Sequence, residues 1–304
     1  MEYLHSIQDT IRAICEKHQK NELIQTRIGM RTNGDLHLGN LFPIITAVII
    51  GKELITKGYK YKLIVILVDQ EINGDDLPFN YLKYSENETL AEYSINKIRN
   101  LISEITFWNN DLIIEYKTVS KSQKTELFRK LLIKILNKSD EIIPIYTPCK
   151  KCGELLKKYK RDNAKLIYKC NQCNSDYTLN LEDLNEELML DHDLLGAIEN
   201  NLFNIDLHIL GADHAFKNKG GDSSLRKREY FRTILTNSSN YITMLTPVIF
   251  FNGKKMSKSA SNGIFIREIK ECFQKKYVNI LKKFVIQNSF KKKITINDVL
   301  DICK

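Results

Sequence analysis

Three groups of residues have types and spacings that could do chemistry. The first is His37-Leu38-Gly39-Asn40, within the run from Gly34 to Pro43. An imidazole and an amide at a helix start can donate to a phosphate, and Gly39 lets a flat base or ribose approach the backbone. Taken alone, the same residues also read as a plain helix cap. The second is Lys255-Met256-Ser257-Lys258-Ser259, flanked by Gly253 and Gly263. Two ammonium groups and two hydroxyls suit a departing pyrophosphate. Met256 can anchor such a loop in an apolar slot, and the glycines let it close over a ligand. The alternative is a solvated basic turn. The third is a pair of Cys-x-x-Cys knuckles, Cys149 with Cys152 and Cys170 with Cys173, separated by 17 residues. Four thiolates at this spacing fit a closed tetrahedral Zn2+ site, which is structural rather than catalytic. Unligated thiols and an iron–sulfur cluster are the competing readings; Gly153 and the polar residues around the knuckles favour zinc.

The surrounding pattern supplies elements to position these groups. Apolar residues recur at helical spacing over 2–20, and 24–30 reads as a strand. After the glycine-containing turn, a helix is expected over 40–57. Asn40 would be its N-cap, Pro43 would fall in its first turn, and Gly58 would follow its end. Tyr61 to Asp69 is an apolar run with β-branched residues, as a buried parallel strand requires. This β–turn–α–β opening predicts a doubly wound, Rossmann-like α/β fold. In such sheets ligands bind at the carboxyl edge, where the pattern places His37, Asn40 and the run Asp69-Gln70-Glu71. Helices are expected over 86–105 and 122–138 and a strand over 112–116. Residues 185–201 read as a helix carrying Asp191, His192 and Asp193. A strand over 205–210 leads into Gly211-Ala212-Asp213-His214, where an acid could hold a ribose hydroxyl; His214 reads equally well as a helix-capping or core histidine. Gly220-Gly221-Asp222-Ser223 precedes a helix to Leu235, and 241–251 is an apolar strand interrupted by Pro247. The expected organisation is a first half of the catalytic domain over 1–143 and a zinc-ribbon insert over 144–182. The second half with its loop follows over 183–263, then a short, basic, helical tail over 264–304.

Composition narrows the class. The 304-residue chain is 43% hydrophobic, enough for a substantial core, and carries a formal charge of +9. That charge suits a polyanionic partner, although Lys, Ile and Asn are abundant throughout and could reflect composition alone. Lys150, Lys151, Lys157, Lys158, Lys160 and Arg161 crowd the cysteine insert. The tail holds Lys275-Lys276, Lys282-Lys283 and Lys291-Lys292-Lys293 among Tyr277, Phe284 and Phe290. Both could touch RNA or be solvated faces. The longest apolar run near the start, Leu41 to Ile50, is short of the roughly 18 residues of a membrane span. With no basic, apolar leader at the N-terminus, the expected location is the cytoplasm. Paired cysteines in a reducing compartment then point to metal rather than disulfides.

In order and spacing the two polar signatures resemble those of class I aminoacyl-tRNA synthetases. The whole arrangement is similar to the catalytic part of class I lysyl-tRNA synthetases, from about Glu22 to about Ile266. The resemblance implies ATP-dependent activation of an amino acid, lysine as first candidate, and transfer to the acceptor end of a tRNA, with Mg2+ arriving with ATP. It implies catalytic roles for His37, Asn40, Lys255 and Lys258. It places ATP on Gly29, His37, Gly39, Asn40, Gly211, Asp213, His214 and Lys255 to Ser259, and the amino acid on Gly29, Asp69 and Asp191. Two features depart from the family pattern. About 45 residues follow the signature loop, too few for a helical anticodon-binding region. The stretch from Glu187 to Leu195 lacks the family's tryptophans; Trp108, the one tryptophan, lies elsewhere. A shortened paralogue serving a non-tRNA acceptor and a non-catalytic RNA-binding module are the alternative readings.

Overall fold

The structure, a computed structural model, describes the chain except residues 1–2, 33–34, 71–81, 107–110, 140–142, 184–187, 216–223, 236–240, 257–262 and 304. Glu71, Trp108, the Gly220–Ser223 turn and Ser257, Lys258 and Ser259 therefore lie outside the described residues.

Five strands form one parallel sheet: β1 (Leu23–Arg31), β2 (Lys60–Val68), β3 (Ile113–Thr118), β4 (Leu207–Gly211) and β5 (Ile242–Thr246), in the order β5-β4-β1-β2-β3. The order reverses between β1 and β4, which makes their carboxyl ends the topological switch point. Successive side chains of a strand face opposite ways. Leu63, Val65 and Leu67 accordingly enter one apolar cluster, while Ile64 and Ile66 enter another. The first cluster holds helices α1 (Ile7–Lys17), α2 (Leu38–Thr56) and α3 (Leu90–Thr106). The second holds α4 (Glu126–Lys138), α5 (His192–Leu202) and α6 (Ser224–Leu235). The α/β architecture with a parallel sheet is the one expected.

Several expectations change in detail. α2 starts at Leu38 with His37 as its N-cap, so Asn40 is the third helical residue and not the cap. Pro43 then lies in the second turn, where its missing N–H deprives the Gly39 carbonyl of a helical donor. Gly58 follows the helix with φ +92, as a C′ glycine should. By length and composition α2 could cross a bilayer, but 67% of its most apolar window is buried in the protein, so it is a core helix apolar on all sides. The expected helix over 185–201 begins only at His192; Met189–Leu190 is instead a short strand paired with Ile145–Pro148. Pro247 divides the expected strand into β5 and a separate strand, Val248–Phe251, because it has no N–H to extend the ladder.

The insert folds as a three-stranded antiparallel sheet of Tyr159–Asp162, Lys165–Lys169 and Asp176–Asn180. Tyr168 is fully buried at its base, and its hydroxyl donates to the Ile145 carbonyl at 3.0 Å.

The tail is more than a helical appendage. After a helix at Ile266–Phe273, a second at Tyr277–Asn288 buries Tyr277, Leu281, Phe284 and Val285 in the first cluster. Phe284 meets Phe42 of α2 edge to face at 6.1 Å. Lys293–Ile296 then pairs in parallel with Val248–Phe251. Tyr277 and Phe284 are thus core residues, whereas Phe290 is strongly exposed.

The second face of the sheet buries charge where apolar residues would be usual. Arg27 of β1 pairs with Glu199 of α5, both almost fully buried. His208 of β4 lies against Arg27 at 2.5 Å and Arg228 at 3.3 Å, and Arg228 reaches Asp193 at 3.1 Å. Two guanidinium groups facing two carboxylates balance the charge that burial would otherwise penalise. Burial, then Arg27 and Arg228, push the His208 pKa well below its usual value, so the folded protein holds this ring neutral.

Two outcomes follow. Phe284→Ala should cost about 3–5 kcal/mol in urea denaturation with a single transition retained, because the tail shares the main core. Below about pH 6.5 the unfolded chain protonates His208 while the folded state does not, so stability falls as pH falls, by about 1.4 kcal/mol per unit for this group. The fall between pH 6.5 and 4.5 should be smaller in His208→Gln, whatever that variant's absolute stability.

Candidate active site

β1 ends at Arg31, and the chain reaches α2 through Asp35, Leu36 and His37. His37 caps α2: its Nδ1 accepts from the Gly39 N–H at 3.0 Å, and the Asn40 Oδ1 accepts from the His37 N–H at 3.3 Å. A nitrogen that accepts cannot carry the proton, so the neutral ring is protonated at Nε2 and that end is a donor. Asn40, having committed its oxygen to the cap, keeps its amide N–H groups as its donor end. The cap that the sequence offered as the bland alternative to function is therefore present, and it also fixes which end of each side chain can donate.

Two hundred residues later the chain returns to this turn. Leu38 donates its N–H to the Ile264 carbonyl at 2.9 Å, and Ile266 donates to the Leu36 carbonyl at 3.0 Å, so that His37 and Phe265 are antiparallel bridge partners. The glycine just before this splice, Gly263, sits against both His37 and Met256. Met256 is 5% exposed within the main core, and its N–H donates to the Ile249 carbonyl at 2.9 Å. Both feet of the Lys255–Ser259 loop are thus fixed, one by an apolar anchor and one by backbone pairing to the His37 turn.

Across the switch point, β4 delivers Gly211 and Asp213. A Cβ at Gly211 would come within 2.4 Å of the Asp213 Oδ1, so only glycine lets this carboxylate fold back over the strand end. Lys255 donates to the Asp213 Oδ2 at 2.7 Å. Burial by itself would raise the Asp213 pKa, but the hydrogen-bonded Lys255 ammonium counters it, and the carboxyl is held below its usual range. His214 is pushed down to about 3 by burial and by Arg228, and is therefore neutral at ordinary pH.

The remaining expected residues are placed as follows. Gly29 is exposed near the carboxyl end of β1, with nothing within 4 Å of the position a Cβ would take. Asp69 stands at the end of β2 but is 5% exposed, and it accepts from the Ser120 backbone N–H at 3.0 Å and from the Ser120 hydroxyl at 2.5 Å. Asp191 caps α5 through the Asp193 N–H at 2.8 Å. His192 and His214 each lie within hydrogen-bond reach of the Ser224 hydroxyl, at 3.1 and 3.3 Å, and Ser224 donates to Asp193. His192, Asp193 and His214 offer donor atoms within 4.8 Å of one another. Ser224 and Arg228 already engage this group, which makes it a hydrogen-bonded extension of the buried charge network.

Arg27, Glu199, His208, Arg228 and the Leu36–Ile266 splice are not among the residues expected from sequence. A signal for the first four existed: an arginine in the middle of a strand buried on both faces needs a buried partner. The splice leaves no side-chain pattern, because it is made by backbone groups.

In the insert the four cysteines converge. Their sulfurs lie within 4.8 Å of one another, with Cys149 to Cys173 at 3.7 Å and Cys152 to Cys170 at 3.4 Å. Four sulfurs about 2.3 Å from a zinc ion would lie about 3.8 Å apart, so the donor set and spacing fit that ion. Each knuckle is closed by backbone bonds, Gly153 N–H to the Cys149 carbonyl at 2.8 Å and Cys170 N–H to the Ser175 carbonyl at 2.9 Å. The N–H groups of Cys152 and Lys151 lower the Cys149 pKa to about 6, toward the thiolate that metals bind.

Comparison with known proteins bears on this geometry. The family model described as "tRNA synthetases class I (K)" matches residues 104–304, more than half of the chain. No curated protein sequence matches significantly. Among solved structures, methionyl-tRNA synthetase from Mycobacterium tuberculosis, bound by methionyl-adenylate, aligns with a TM-score of 0.57 at 10% identity, over 93% of this chain and 68% of that one. Tyrosyl-tRNA synthetase from Archaeoglobus fulgidus, complexed with L-tyrosine, aligns with a TM-score of 0.42 at 14% identity, over 88% of this chain and 74% of that one. At such identities the likeness is one of fold, and the methionyl enzyme carries it. The family match stops short of the His37 turn, yet the backbone splice joins that turn to the matched region. The chain belongs to the class I aminoacyl-tRNA synthetase family.

Proposed function

We propose that the chain activates an amino acid with ATP at the carboxyl edge of β1 and β4 and passes it to the acceptor end of a tRNA. The observation that supports this most is the backbone pairing of the His37 turn with the segment after the Lys255–Ser259 loop, which holds that segment beside the α2 N-terminus. In the proposed reaction the amino-acid carboxylate attacks the α-phosphorus of ATP. A new carboxyl O–P bond forms, the bond to the β-phosphate oxygen breaks, and pyrophosphate leaves. Negative charge grows on the phosphoryl oxygens in the transition state, where preorganised donors are most effective. The Nε2–H of His37, the Asn40 amide, Lys255 and Lys258 are assigned that role, with Ser257 and Ser259 beside them. Gly29, Gly39, Gly211, Asp213 and His214 form the rest of the assigned nucleotide site, and Met256 is its anchor. Mg2+ enters as part of the ATP complex.

Gly29 is assigned to the amino-acid pocket because it is exposed near the carboxyl end of β1 with open space where a Cβ would stand. Lysine is the first candidate substrate. Its ammonium would want a carboxylate, and Asp69 and Asp191 are the assigned groups, although both already accept hydrogen bonds from neighbouring residues. ATP–pyrophosphate exchange measured across the twenty amino acids tests the reading: exchange should appear with one of them and fall about 10²–10³-fold in His37→Ala. Absence of exchange with every amino acid, with and without tRNA, overturns it. Exchange without tRNA charging redirects it to another acceptor.

The four cysteines are assigned a structural Zn2+. The purified chain should carry one equivalent of zinc, lost in Cys170→Ser together with the fold of residues 144–182. Cobalt substitution should give sulfur-to-metal charge-transfer absorption. A preparation without zinc, or one with the absorption of an iron–sulfur cluster, would overturn the assignment.

A further inference from the structure

Ser224 opens α6 at the end of the buried charge layer and is itself buried. Its hydroxyl lies within hydrogen-bond reach of three side chains: Asp193, His192 at 3.1 Å and His214 at 3.3 Å. A hydroxyl carries one proton and two lone pairs, so it can donate once. Asp193 Oδ1 also accepts from Arg228 at 3.1 Å, and the carboxylate of that ion pair has no proton to offer. Ser224 must therefore spend its proton on Asp193. Only lone pairs remain on its oxygen, and the two imidazoles must be the donors to them.

For His214 this settles the tautomer. The Nδ1 that faces Ser224 carries the hydrogen. A neutral imidazole has one N–H, so Nε2 is left as a bare acceptor. The polarity is opposite to that of His37, whose Nδ1 accepts from Gly39 and whose Nε2 donates. The Nε2 side of the His214 ring borders the end of β4: Cδ2, the carbon bonded to Nε2, is 4.0 Å from the place a Gly211 Cβ would take. His214 is partly exposed, and among the described residues its Nε2 makes no hydrogen bond.

We infer that Ser224 and Asp193 are positioning residues that hold His214 as a hydrogen-bond acceptor for a ribose hydroxyl of the nucleotide. A bare nitrogen in a substrate crevice calls for a donor, and the two that ATP and an amino acid bring are a ribose hydroxyl and the α-ammonium. Burial, Arg228 and Arg31 all oppose positive charge at this ring and together outweigh Asp213, which disfavours the ammonium. A hydroxyl adds no charge. The inference rests on the proposed reading of the crevice as an ATP site, and its test needs no catalysis.

The test reads tautomer and binding separately in the full chain. With isotope-labelled histidine, long-range proton–nitrogen correlation should show the His214 signal, identified by its loss in His214→Gln, protonated at Nδ1 and bare at Nε2. The opposite tautomer in the wild type overturns the inference. Calorimetric titration with the Mg2+ complexes of ATP, 2′-deoxy-ATP and 3′-deoxy-ATP should show a preference for ATP over at least one deoxynucleotide. Ser224→Ala should shrink that preference about 2- to 12-fold, the worth of one neutral hydrogen bond. It should do so by weakening ATP while leaving the disfavoured deoxynucleotide unchanged, and Ser224→Thr should keep the preference. A merely structural role would weaken all three nucleotides alike. That result overturns the inference, as does a preference that survives intact in Ser224→Ala. A change confined to the KM for the amino acid also overturns it, by assigning the acceptor to the α-ammonium. Absence of amino-acid activation with the ribose preference and its loss both observed would count against the proposed enzyme activity and leave this inference standing. Failure to bind ATP at all overturns both.

Discussion

The site depends on a pair of backbone hydrogen bonds. Leu38 to Ile264 and Ile266 to Leu36 join segments that are distant in sequence, and they fix where the Lys255–Ser259 loop begins its return relative to the α2 N-terminus. The proposed catalysis by preorganised donors would require their spacing to be set before substrate arrives. Side chains alone could not set it here, because lysines are long and His37 is committed to its cap. A backbone ladder with the buried Met256 as its second anchor provides that reference frame.

The buried charges behind the sheet serve the same end from the other side. Arg27, His208, Arg228, Glu199 and Asp193 bind β1, β4, α5 and α6 into one polar layer. Such a layer gives little net stability, since desolvation offsets most of the attraction. What it imposes is position, because each arginine or carboxylate leaves an uncompensated charge, and His208 an unpaired ring nitrogen, if its partner shifts. Through Asp193 and Ser224 the layer reaches His192 and His214, so the residue next to Asp213 is held by the same network.

The C-terminal segment shows how function and stability share elements. Its helix buries Phe284 against α2, the helix whose N-terminus carries His37. Its last strand pairs with Val248–Phe251, the strand that leads into Lys255. A basic, aromatic-rich sequence here reads as a surface for RNA, yet Tyr277 and Phe284 are core residues, and they support the two segments that bear the signatures.

The sequence by itself determined what depends on local residue order. β-branched runs dictated buried parallel strands, Gly58 ended α2, and the cysteine spacing dictated paired knuckles. The glycine and acid after β4 marked the carboxyl edge. Tertiary structure decided what depends on partners far along the chain. It made His37 rather than Asn40 the cap, since the entry angle of α2 is set by the strand pairing at Phe265. It moved Pro43 into the second turn for the same reason. It turned Arg27 and His208 from anomalies in apolar strands into members of a balanced network, because Glu199 and Arg228 reach them only once α5 and α6 pack on the sheet. It also engaged Asp69 with Ser120. A carboxylate in a one-dimensional sequence looks available for a ligand, but burial obliges it to find a partner inside the protein first.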